Sequence, residues 1–208
     1  MQPTAIDNSE QEPLGKILPK RLTGQESFHI DGGNTPNTVS NFWSWAYSTL
    51  AANNLRGHLA EFIVASALGI ANNKPRVEWD DCDLEAKGLR IEVKSAAYLQ
   101  SWEQHQPSTI SFSIAPSYNW DENQKTRKTQ PERNSDIYVF CLLTPRDKRE
   151  LDPTNLAQWE FYVLPTKVLT AELPLQKTLT LNALQALGPR KCNYCNLSET
   201  IALASQDS

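Results

Sequence analysis

The chain has no long hydrophobic run. Its longest apolar stretch, Phe62 to Ile70 around Ser66 and Gly69, is too short to span a bilayer. The first residues, MQPTAIDNSEQEP, lack the basic-then-apolar order of a secretory signal. A cytoplasmic protein with no membrane contact is therefore expected. Cysteine is scarce: Cys82, Cys141, Cys192 and Cys195 are too few and too scattered for a disulfide framework. Cys192 and Cys195 have zinc-ligand spacing, but no second pair follows, and His29, His58 and His105 lie far away in sequence. These cysteines are read as incidental. No glycine-rich phosphate loop occurs, so nucleoside-triphosphate chemistry has no support. No internal repeat is visible. Positive charge is in deficit as well, with 20 Lys and Arg against 24 Asp and Glu. That balance counts against a protein that coats long DNA without selectivity, yet leaves room for a local basic groove.

What is present fits one domain with a sizeable core, since the chain has 208 residues of which 39% are hydrophobic. Residues 1–39, rich in Pro, Gln, Asn, Ser and Gly, read as an extended or partly disordered arm. Residues 40–208 read as a single domain. Ser40 or Asn41 can cap a helix from Phe42 to about Ala52. A second helix is expected from Leu55 or Arg56 to Leu68, terminated by Gly69. A short strand is expected over Pro75–Trp79, followed by the acidic cluster Asp80, Asp81 and Asp83. Thr109–Ala115 alternates as a half-exposed strand, and Asp136–Leu143 reads as a central strand covered on both faces. Trp159–Leu164 is another strand, Leu179–Leu187 a helix stopped by Gly188-Pro189, and Ser198 can cap a last helix to about Ala204. Strands interleaved with helices imply an α/β domain with a central mixed β-sheet flanked by helices.

The stretch from Asp83 to Lys94 is the most informative. Lys87-Gly88 suits a two-residue hairpin turn, because glycine supplies a positive φ. Leu84 then faces Ile91, Glu85 faces Arg90, and Asp83 faces Glu92. Leu84, Ala86, Leu89, Ile91 and Val93 share an apolar face, and Asp83, Glu85, Arg90, Glu92 and Lys94 share the polar one. Opposed Asp83 and Glu92 repel. A divalent cation would remove that cost, and Lys94 would relieve part of it. Of three nearby aspartates, the register selects Asp83. Upstream, Glu61 is the only formally charged residue between Gly57 and Asn73. A carboxylate among apolar neighbours needs a partner, a proton or a metal. A salt bridge to Arg56 or a solvent-facing place near the helix start would also satisfy it. His58, one turn earlier, reads as a hydrogen-bonding or packing residue.

Asp83, then Glu92-Val93-Lys94, with Glu61 on a preceding helix, resembles the PD-(D/E)XK nuclease superfamily and its restriction-endonuclease-like fold. Cys82 stands where the superfamily's name has proline. Gln100, six residues past Lys94, matches a glutamine found in some members. The resemblance spans about Leu55 to Leu143. It implies a Mg²⁺-dependent nuclease acting on nucleic acid, with DNA as the expected substrate and Mn²⁺ able to substitute. Asp83, Glu92 and the Val93 carbonyl would be metal ligands, and Glu61 would bind a second metal directly or through water. Lys94 would orient or deprotonate the attacking water, or stabilise developing charge. Gln100 would position water or phosphate. Relatives that cut two strands work as dimers, so a homodimer is a further expectation. Lys125, Arg127, Lys128 and Arg133 lie in a long polar loop that could touch phosphates, and Trp102 and Trp120 could stack on bases. The contrasting reading is a catalytically inactive nucleic-acid-binding or assembly module on the same fold.

Overall fold

The computed structural model describes residues 17, 19–72, 75–77, 82–118, 120–121, 126–127 and 131–207. Residues 1–16 of the expected arm lie outside them. Within the rest of the arm, β1 (Ser27–Ile30) and β2 (Gly33–Thr38) pair as a hairpin. Its turn uses Asp31 and Gly32, at φ of 48° and 80°. Helix α1 (Val39–Tyr47) starts earlier than its apolar residues suggest. Thr38 is the cap: its Oγ1 accepts the Asn41 N–H, and Asn41 Oδ1 accepts the Thr38 N–H at 2.8 Å. This reciprocal box outcompetes Ser40 and Asn41 as starting points. Helix α2 (Asn53–Ala67) ends as expected at Gly69, whose φ is 72°. The Ile70 N–H then closes on the Ala65 carbonyl at 2.9 Å.

The remaining elements follow in order: β3 (Leu84–Ala86), β4 (Leu89–Ala97), β5 (Ser111–Ser113), β6 (Trp120–Asp121), β7 (Thr126–Arg127), β8 (Ile137–Leu143), β9 (Trp159–Pro165), α3 (Thr166–Glu172), β10 (Thr178–Thr180), α4 (Leu181–Ala186), β11 (Arg190–Cys192) and α5 (Leu197–Ser205). Pro75, Arg76 and Val77 form no strand, and Trp79, Asp80 and Asp81 lie outside the described residues. Five strands make the central sheet, in the order β11-β9-β8-β4-β3. β4 and β8 run parallel, and the other neighbours are antiparallel. This is the mixed α/β sheet flanked by helices that the strand and helix pattern implied.

All seven β8 residues are buried, as a continuous apolar run in a central strand requires. Side chains alternate between two cores. Ile91, Val93, Ile137, Val139, Phe161 and Val163 pack under α2 and α5, with Ala60, Ile63, Val64, Leu197 and Ile201 from those helices. Ala96, Tyr138, Phe140, Leu142, Tyr162 and Leu164 face the opposite way, against Phe112, Leu169, Leu179 and Leu184 from β5, α3, β10 and α4. Glu92 and Lys94 share this second face, because each is two residues from Ala96 or Lys94 along β4. Both lie toward the end of the strand that the second core leaves open: each side chain keeps about a quarter of its surface exposed, 23% for Glu92 and 27% for Lys94.

Candidate active site

The β3–β4 hairpin has the register that its turn residues dictate. Leu84 pairs with Ile91, Glu85 with Arg90 and Ala86 with Leu89. Lys87 and Gly88 both have positive φ, 52° and 77°, as a type I′ turn requires. The apolar face is in place: Ile91 and Val93 are buried, and Leu84, Ala86 and Leu89 pack against them. β3 is three residues long and β4 is nine, so β4 beyond Ile91 has no β3 residue paired with it. Asp83 fills the gap with its side chain. The Val93 N–H donates to Asp83 Oδ2 at 2.8 Å. The N–H and C=O of one strand residue point to the same edge, so the Val93 carbonyl also faces the Asp83 side. Lys94 Nζ lies 2.5 Å from Glu92 Oε1. Asp83, Glu92 and Lys94 thus come together on β4 from Glu92 onward, where no described strand residue pairs with it on the β3 side.

Electrostatics mark the cluster as unusual. Burial raises the Glu92 carboxyl above its usual range. The Lys94 ammonium pulls it back, while the Asp83 and Glu61 carboxylates push it up further. Burial works to lower Lys94, but Glu92 and Asp83 outweigh it and hold the ammonium above its usual value. Tyr138, opposite Glu92 in the β4–β8 ladder, is raised by burial and then by Glu92. One lysine therefore answers several negative groups in a partly desolvated corner.

Glu61 approaches from α2 and is only 9% exposed. Its partner is Arg76, not Arg56: Arg76 Nε and Nη2 each donate to one carboxylate oxygen, the second at 3.2 Å. Glu61 and Asp83 line a cavity of about 530 Å³ with His58, Phe62, Arg21 and Arg76. Among the described residues, no three His, Cys, Asp or Glu side chains converge closely enough to hold an ion by themselves. The oxygen donors at the hairpin are two carboxylates and a main-chain carbonyl. Gln100 is buried and has partners of its own. Its Oε1 accepts from Arg56 Nη1 at 3.3 Å, and its Nε2 donates to the Ala97 carbonyl and to Ser108 Oγ. Arg56 is buried and also bonds Asn53 Oδ1 and the Ala51 carbonyl, so it anchors the start of α2.

Other candidates resolve differently. Arg133 donates to the carbonyls of Ile114, Leu169, Leu173 and Gln176. It ties the end of α3 to the chain just after β5, with four of its five N–H groups engaged on main-chain carbonyls. The side chains of Trp120, Lys125, Arg127 and Lys128 lie outside the described residues. Trp102 is exposed, and its carbonyl accepts from Lys148 Nζ. Cys192 is half-buried on β11, and Cys195 is exposed. Sequence reasoning missed Arg76 and Tyr138. Arg76 sits in irregular chain, where no periodicity points at a partner. Tyr138 reads as one more apolar member of a buried run.

Residues 37–183, more than half of the chain, match the bacteriophage T4 endonuclease IV family. No curated protein and no solved structure matches the chain. With the charged hairpin edge inside the matched span, the chain belongs to the bacteriophage T4 endonuclease IV family and is a nuclease.

Proposed function

We propose that this nuclease hydrolyses phosphodiester bonds in DNA with a bound divalent metal, Mg²⁺ or in its place Mn²⁺, as a PD-(D/E)XK-type enzyme. One observation carries the reading: Asp83, anchored on the Val93 N–H, stands with Glu92 and Lys94 on the stretch of β4 just beyond its pairing with β3. The donor set fits a hard cation, which prefers oxygen ligands and is content with one or two carboxylates plus waters and phosphate oxygens. Like charges that burial would otherwise penalise also favour an added cation here. Asp83, Glu92 and the Val93 carbonyl would hold it, with Glu61 contributing from α2. Such an ion, when bound, polarises a phosphoryl oxygen and lowers the pKa of water. Lys94 orients the attacking water and offsets negative charge that develops on the phosphoryl group. Glu61, kept in place by Arg76, bounds the site on the α2 side. Gln100 supports it indirectly, by holding Arg56 and so the start of α2.

The test is cleavage of duplex and single-stranded DNA and of RNA by the purified chain, with Mg²⁺, with Mn²⁺ and with chelator. Metal-dependent cleavage of DNA is expected, lost in Asp83→Asn, Glu92→Gln and Lys94→Ala while circular dichroism stays unchanged. Binding without turnover under every metal condition would select the inactive binding module instead.

A further inference from the structure

Helix α1 and the β1–β2 hairpin turn their aromatic side chains outward. None of the α1 residues is buried. Phe28, Ile30, Phe42, Trp45 and Tyr47 are 47%, 70%, 41%, 86% and 45% exposed. Single exposed apolar residues are ordinary, but a contiguous group marks a contact surface. Phe28, Phe42, Trp45 and Tyr47 form such a group. The Phe42 and Tyr47 rings meet edge to face at 5.8 Å, and Phe28, Phe42 and Trp45 line one groove of about 570 Å³.

The patch is held firmly. The Val39 N–H donates to the Glu26 carbonyl and the Ser40 N–H to the Gly24 carbonyl, both at 2.9 Å. Trp43, on another side of α1, closes over Gly24 so tightly that a Cβ there would meet its ring at 2.9 Å. A rigid helix therefore presents Trp45 to solvent.

Charge decides what could cover it. From Ser27 to Tyr47, Asp31 is the only Asp, Glu, Lys or Arg. A nucleic-acid backbone needs cationic groups to replace its counterions, and this segment offers none. A patch of one charge sign would repel its own copy, and this segment carries almost no charge to repel. The exposed parts of Phe28, Phe42, Trp45 and Tyr47 amount to roughly 500 Å² per copy, given the usual size of aromatic side chains. Two copies reach about 1,000 Å² before any polar rim is counted, the area that a specific interface should clear. We propose that this face is a homodimer interface in which Trp45 of each copy enters the aromatic groove of the other. The proposal does not depend on the metal-dependent reading of the β4 edge.

Analytical ultracentrifugation of the full chain tests it, comparing wild type with Trp45→Ala and Phe28→Ala. Because Trp45 is almost fully exposed, its replacement leaves circular dichroism and thermal unfolding of the monomer intact. A wild-type dimer at micromolar concentration is expected, with dissociation made at least about 100-fold easier by Trp45→Ala, as for a central interface tryptophan present twice. A wild type that stays monomeric to about 100 µM, where even weak specific pairs associate, overturns the proposal. So does a monomer whose oligonucleotide affinity falls in Trp45→Ala, which would assign the face to base stacking.

Discussion

Replacing Asp83 with asparagine separates the two tasks of its side chain. Asparagine keeps an oxygen to accept the Val93 N–H, so the hairpin bond at 2.8 Å has a successor. It removes the charge. Two carboxylates about 5 Å apart repel by about 3 kcal/mol at an effective dielectric near 20, and Lys94 and residual solvent cancel part of that. Metal-free Asp83→Asn is therefore expected to melt at or slightly above the wild-type temperature. Asp83→Ala, which leaves the N–H without its partner, is expected to lose about 1–3 kcal/mol. Added metal is expected to reverse the ranking. A cation at about 100 times its dissociation constant adds about 2.7 kcal/mol to the wild type. For a domain of this size that is roughly 5–10 °C in melting temperature. Differential scanning calorimetry with and without Mg²⁺ or Mn²⁺ reads both effects. A full metal shift in Asp83→Asn, or none in the wild type at saturating metal, would refute the assignment of Asp83 and Glu92 as ligands.

Gln100→Leu removes the acceptor of buried Arg56 and should cost about 1–3 kcal/mol in urea unfolding; a fall in cleavage larger than the fall in folded fraction would place Gln100 on the substrate instead. Glu26 gives a pH signature. Hydrogen bonds from the Thr23 backbone first, then from Thr23 Oγ1 and the Gly24 N–H, hold its carboxyl down at about 2. A depressed carboxyl stabilises fully above its ordinary value of 4.5 and loses that contribution as pH falls through about 2. Fluorescence of Trp43, packed on Gly24, should report an acid transition in that window, and Glu26→Gln should flatten it.

The hairpin was legible because its determinants are local. A glycine turn and strict alternation set the register of Leu84 with Ile91, and Asp83, one residue before β3, reaches β4 through its side chain on the Val93 N–H. The central strand was legible because seven consecutive buried positions leave no polar residue to misplace. The β1–β2 hairpin was not, because Gly33–Thr38 is polar throughout and shows no apolar alternation. The Glu61–Arg76 pair was hidden for another reason. Fifteen residues separate the partners, and Arg76 lies in chain without regular structure, so Arg56 looked the nearer cation. Arg56 instead turned inward to Gln100, a contact made 44 residues away in sequence.

Past Ile91 no described strand residue pairs with β4 on the β3 side, and that bears on solubility. An unpaired strand edge is a template for another chain, and proteins usually blunt such edges with charge. Past Ile91, β4 carries Glu92 and Lys94 on that stretch, with the Asp83 carboxylate over the Val93 N–H. The charged groups proposed for hydrolysis would therefore also help to keep the edge from recruiting a second strand. Stripping them to alanine in one variant would expose a bare, β-prone edge and confuse lost chemistry with self-association. Asparagine and glutamine, polar and similar in shape, leave the edge guarded while the chemistry is removed.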